Sequence, residues 1–306
     1  MTWLIWRQHR VQVMLAAALV VAFALPAAIT GSHLGNLLTS CRASNTCTDL
    51  DLLHGYSSMR ALVNLTIAVP LLIGAFWGAT IVGRELETGT AALAWTQSVT
   101  RRRWLTVKLS TLFVLTGACS GAVAALVSWW SNAANATIQS RFEQLQFDIQ
   151  GIAPVGFALF AAALGLAAGV VWRRALPAMA TTVGGFIGVR LIVELFLRPH
   201  YMSPLTRTTG LGVVRDVPSG SLINSTDLML HGQVIGGAVP ADPSCASAMS
   251  RDAMSRCMDQ LGYRVRLTYQ PASRYWPFQW IEFGIFAGLA VLLVATAMIV
   301  LRRRDA

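Results

Sequence analysis

Six stretches of the chain run for about twenty residues with almost no charge, near 11 to 30, 61 to 83, 109 to 130, 152 to 172, 176 to 197 and 278 to 301. A helix of that length crosses the roughly 30 Å hydrocarbon core of a bilayer, so the pattern predicts an all-α polytopic membrane protein with six transmembrane helices. Between the fifth and sixth the period changes. Tyr263, Val265, Leu267 and Tyr269 alternate with Arg264, Arg266, Thr268 and Gln270, the spacing of a half-buried strand. Just before it, Met249, Ala253, Cys257 and Leu261 recur every four residues and Gly262 follows as a stop, which predicts a short amphipathic helix. Short apolar runs around Pro218, Gly220 and Asn224 add turns and a hairpin. Residues 198–277 therefore read as a small mixed α/β domain. Residues 11–197 hold helices one to five with a charged loop at 84–108, and 278–306 hold the sixth helix and a basic tail. Residues 1–10 place Trp3, Leu4 and Trp6 beside Arg7 and Arg10, which suits an interfacial helix or a plain aromatic anchor.

Composition agrees with a bilayer as solvent. Of 306 residues 55% are hydrophobic and 12% charged, and the mean hydropathy is +0.55, values that exclude an ordinary soluble domain. The net charge of +10 gives the orientation, because short cytoplasmic loops retain Arg and Lys. Arg7, Arg10, Arg84, Arg101, Arg102, Arg103, Lys108, Arg173, Arg174, Arg302, Arg303 and Arg304 all fall on one side of a six-span arrangement. The short loops of the other side hold only Arg42, Arg60 and Arg141. Both termini are thus expected in the cytoplasm and 198–277 outside. An inner rim facing anionic lipid accounts for much of the positive charge, so nucleic acid is not expected as a partner. Arg7 and Arg10 ahead of an apolar run ending in Pro26-Ala27-Ala28 also fit a signal peptide, but the run is longer than a typical signal core and cleavage would leave an odd span count.

Cys41, Cys47, Cys245 and Cys257 fall in the expected external segments, whereas Cys119 lies in the third span. An even number outside suggests two disulfides in an oxidising space. Three pairings are open; the local one, 41 with 47 and 245 with 257, is preferred and requires the helix around Met254 to begin after Cys245, since twelve helical residues hold two sulfurs roughly 18 Å apart. Within the spans, G-x-x-x-G occurs at 74/78, 117/121, 165/169, 184/188 and 284/288. Small residues let helix backbones approach closely where lipid supplies no hydrophobic drive, which argues for a tight bundle within or between subunits.

Charges inside the bilayer need a reason. Arg190 and Glu194 stand one turn apart in span five, and Glu282 near the outer end of span six. An intrahelical Arg190–Glu194 pair is the structural expectation; the functional one is a polar element at the outer mouth of a path, with Glu282 meeting Arg190 or Arg198. His9, His33, His54, His200 and His231 lack metal-ligand spacing, no G-x-S-x-G elbow occurs, and no phosphate loop is present, so no metal, cofactor or catalytic activity of its own is expected. Asp49 and Asp51 are commonplace in a polar loop.

The strip GRELETGTAALAWTQSVTRRRW at 83–104 joins spans two and three. Glu85 and Glu87 near the start of a helix, Arg101, Arg102 and Arg103 near its end, and Leu86, Leu93 and Trp95 between them would give a dipole-matched helix with a face to bury on a soluble partner. A solvated loop that only sets topology is the plainer reading. GRELETGTAALAWTQSVTRRRWLTVKL, with an opening MTWLIWRQHR and RYWPFQWIE before the last span, resembles the ABC-2 type permeases of antibiotic and drug export systems, especially those of actinobacteria. The likeness is most specific at Glu85-x-Glu87-x-Gly89-Thr90 and the arginine run; it departs at Gln97 to Arg101, where many relatives carry proline and then Ser-Arg. The resemblance implies a non-catalytic efflux permease of a bacterial plasma membrane, a homodimer with two copies of a separate ATP-binding subunit. The strip would be its coupling helix, and an amphiphilic small molecule or lipid its cargo. A non-transporting receptor or scaffold with a ligand-sensing external domain is the alternative.

Overall fold

A computed structural model of the protein describes residues 20–32, 57–89, 101–135, 141–211, 220–236, 243–245 and 250–304, together with residues 14, 17, 18 and 36. Among the described residues, five helices are long and apolar enough to cross a membrane. We name the helices α1 (Val20–Ser32), α2 (Met59–Glu87), α3 (Arg101–Asn135), α4 (Gln144–Ile149), α5 (Ala153–Trp172) and α6 (Ala175–Ile192). A wide turn at Val193–Leu197 prolongs α6. The continuous described part of the first apolar stretch, α1, is too short to span; apart from residues 14, 17 and 18 the rest of that stretch lies outside the described residues, as do Cys41, Cys47, Thr90 and residues 1–10.

The next elements are strands β1 (Leu205–Thr209), β2 (Leu222–Leu230) and β3 (Gln233–Gly236), helix α7 (Arg251–Gln260), strand β4 (Tyr263–Gln270) and helix α8 (Tyr275–Arg304). The sheet is antiparallel in the order β1-β4-β2-β3. The alternation read in 263–270 places Tyr263, Val265 and Leu267 against Leu228, Met258 and Cys245, the small core under α7. His231 and Gly232, both left-handed (φ 48° and 85°), turn β2 into β3, the backbone that a two-residue hairpin needs. Ser250 caps α7, its side chain accepting from the Ala253 amide at 3.1 Å. Helix α7 therefore starts after Cys245, and a Cys245–Cys257 disulfide forms across a Cα separation of 5.9 Å.

Helix α5 is the hub of the bundle: 67% of its most apolar stretch is buried, against 17–33% for the other spans. Its sequence explains this. Ala and Gly on nearly every side let α2, α3, α6 and α8 all approach it. Gly74 and Gly78 of α2 meet Gly165 and Gly169 of α5 so closely that a Cβ at Gly165 would lie 2.3 Å from the Gly74 carbonyl oxygen, and one at Gly78 2.5 Å from that of Ala162. The pairs at 117/121, 184/188 and 284/288 have nothing within 4 Å of an added Cβ. Spans five and six are thus not joined through these glycines; α5 packs against both α6 and α8.

Candidate functional site

The charged residues gather at the two ends of the bundle. At one end Glu85 forms an ion pair with Lys108, whose side chain is only 4% exposed. Glu87 accepts a hydrogen bond from the Ala175 amide at 3.0 Å, one of the unpaired donors that open α6. Helix α5 ends just before Arg173, a left-handed residue (φ 51°), and extended Arg174 then starts α6. The close of α2, the opening of α3 and the α5–α6 turn are therefore stitched together by two carboxylates. Glu85 and Glu87, expected to open a helix of the loop, close α2 instead, because the span-two helix continues past its apolar run to Glu87. Thr88 caps it and Gly89 leaves it with φ 69°. Arg101, Arg102 and Arg103, expected at the end of that loop helix, form the first turn of α3. Thr90 and the rest of the loop to residue 100 lie outside the described residues.

At the other end, four charges are buried together. Arg198 donates from Nε to Glu282 at 3.0 Å and from Nη2 to the other Glu282 oxygen at 2.6 Å, and Nη2 also reaches Asp148 at 2.6 Å. This is the two-pronged geometry that makes guanidinium–carboxylate pairs strong. Arg190 pairs with the second Asp148 oxygen. Aromatic faces complete the enclosure, Phe157 lying 4.3 Å from the Arg190 guanidinium and Phe147 4.6 Å from that of Arg198. Two arginines and two acids cancel, which is how charge persists in a low-dielectric interior. Tyr201 lies within 3.5 Å of Glu282. Burial first, then the Glu282 carboxylate, push its hydroxyl well above the usual range, so it stays protonated and donates.

Arg190 does not pair with Glu194, one turn away in sequence. The backbone widens at Val193–Leu197, and Asp148 of α4 supplies the charge instead. Glu194 faces two open grooves. Asp148 escaped the sequence reading because it sits in a polar connection; the signal available was Leu145, Phe147 and Ile149 interleaved with it, too apolar for a solvated loop. Gln279 was missed as well. Its Oε1 accepts from the Ile152 and Ala153 amides at 3.0 and 2.7 Å while Nε2 donates to the Phe147 carbonyl at 2.9 Å, so one side chain of α8 caps α5 and holds α4. Gly151 permits this: its φ is 74°, and a Cβ there would lie 2.6 Å from Gln279 Oε1.

The sheet adjoins this end. Leu222, Ile223 and Asn224 of β2 line a groove of about 290 Å³ with Arg198 and Glu194. A larger cleft of about 690 Å³ opens between α2, α4 and α6.

Comparison with known proteins matches residues 12–198 to the family described as ABC-2 membrane transporter related. No curated protein and no solved structure matches the chain. The matched region takes in α2, the charged strip, the hub α5 and both arginines of the buried network. With the match covering more than half its length, the chain belongs to the ABC-2 membrane transporter related family, as a multi-pass membrane component of that transporter type.

Proposed function

We propose that the chain is the permease subunit of an ATP-driven exporter. It moves an amphiphilic small molecule, drug or lipid outward across a bacterial plasma membrane, and a separate subunit hydrolyses the ATP. The family match over 12–198 carries this reading. The absence of a phosphate loop from the sequence agrees with a motor on another chain. The first apolar stretch would complete six spans with both termini cytoplasmic. The end that carries Glu85, Glu87 and Lys108 would then face the cytoplasm, where the strip 84–108 would meet the ATP-binding subunit. The sheet and the Arg190–Asp148–Arg198–Glu282 network would lie at the outer mouth.

Two permease chains and two ATP-binding subunits make the working assembly in this reading. The unfilled glycine faces at 117/121, 184/188 and 284/288 leave surface for a second copy or for lipid. Co-expression with an ATP-binding protein encoded beside this chain is the test. The two should purify together, the chain alone should hydrolyse no ATP, and vesicles holding both should accumulate an amphiphilic dye. A chain that never retains an ATP-binding subunit would favour a receptor or scaffold instead.

A further inference from the structure

We propose that the cleft between α2, α4 and α6 binds a lipophilic monocation. Its floor is apolar, formed by Leu71 of α2 and by Phe186, Ile187 and Leu191 of α6. Two carboxylates face it, Glu143 just ahead of α4 and Glu194 beyond α6. Arg190 and Asp148 also line it, but they belong to the neutral buried network and neutralise each other. Among the described residues no hydrogen bond or ion pair engages the Glu143 or Glu194 side chain. The cleft therefore carries two uncompensated negative charges beside apolar walls. At about 690 Å³ it falls within the usual size of a small-molecule site.

The occupant follows from charge complementarity. Glu194 is half-buried near the end of a membrane span, where an unpaired carboxylate is costly. A bound cation lowers that cost, an anion raises it, and a neutral molecule leaves it unchanged. The apolar walls ask for a cation whose charge is carried on bulky hydrocarbon. A strongly hydrated metal ion would gain nothing from Leu71, Ile187 and Leu191. Glu194 also lines the groove beneath β2, so a molecule leaving the cleft past Glu194 meets the sheet next.

To call this occupant cargo rests on the exporter reading, but its binding can be measured on the chain alone, so the two fail separately. Tetraphenylphosphonium and tetraphenylborate have nearly the same shape and opposite charge. In nanodiscs, with empty discs subtracted, the purified chain should bind the phosphonium saturably and the borate not at all. Glu194→Gln should weaken binding by about tenfold, close to one charge pair at a half-exposed site, and Glu143→Gln by less. Glu143 is exposed, so that variant leaves the fold intact and keeps the test valid. Equal binding of the borate, or unchanged affinity in both variants, would overturn the proposal. So would phosphonium binding that vanishes when phosphatidylethanolamine replaces phosphatidylglycerol in the disc, since a lipid ammonium headgroup would then be the resident of the cleft.

Discussion

Arg198 is held by two acids from two different elements and Arg190 by one of the same acids, so a single change propagates through four side chains. Removing one member leaves a buried charge without its counter-ion, which costs about 3–5 kcal/mol where exposure is this low. Glu282→Gln and Asp148→Asn should each lower the midpoint of thermal unfolding in detergent by many degrees. Glu194→Gln, which breaks no pair and removes an unpaired charge, should leave it unchanged or raise it slightly. A small effect of Asp148→Asn would mean that water reaches the arginines and that the network is solvated. That Arg190 needs a carboxylate was legible in the sequence from its depth alone. Which carboxylate was not: Asp148 lies 42 positions upstream in a connection without a span's signature, and only folding brings α4 under α6.

Among the elements, α5 decides the architecture, and the five G-x-x-x-G motifs show how far sequence carries. All five read alike as close-packing signals, yet only 74/78 and 165/169 oppose each other. The difference lies in which faces the chain turns toward α5, a property of the bundle rather than of the motif. Two variants separate these roles. Gly165→Val would drive a side chain into the Gly74 carbonyl and the Ala79 amide, backbone atoms that can yield only by parting α2 from α5, at a cost of about 1–3 kcal/mol or more. Gly184→Ala meets open space and should be neutral or slightly stabilising in a helix. Equal behaviour of the two in thermal unfolding would dissolve the α2–α5 contact as an organising feature. In the sheet, β4 was legible because one face is buried and the other wet, the condition under which period two appears. β1 was not, since its LTRTT sequence carries a single apolar residue. Replacing Cys257 with Ser should destabilise the sheet and α7 by about 2–4 kcal/mol, read as faster proteolysis between residues 243 and 260.

For the molecule as a whole, the two charged ends are joined by α6, which carries Glu87's hydrogen bond at its first amide and Arg190 toward its close, with Arg198 just past the wide turn that follows it. The arginine asymmetry predicts which end faces the cytoplasm. A cysteine probe at Thr90 should resist an impermeant reagent in intact cells and one at Ser219 should react; labelling at Thr90 would invert the orientation and remove the coupling role together. If that orientation holds, the strip between α2 and α3 is where a motor would push, and Glu85 and Glu87 tie its base to α3 and α6. Glu87→Arg places a cation on the positive end of α6 and removes the acceptor for Ala175, a local cost of about 1 kcal/mol. The fold should survive so small a loss. Transport should not, because the push would no longer reach α6, whereas Glu87→Gln keeps an oxygen for Ala175 and should retain much of the activity. Dye uptake into vesicles that contain the ATP-binding subunit, set beside their ATP hydrolysis, reads the difference: Glu87→Arg should hydrolyse ATP with little uptake. Full uptake by that variant would show that α6 moves without the Glu87 tie, and would shift attention to the Glu85–Lys108 pair between α2 and α3.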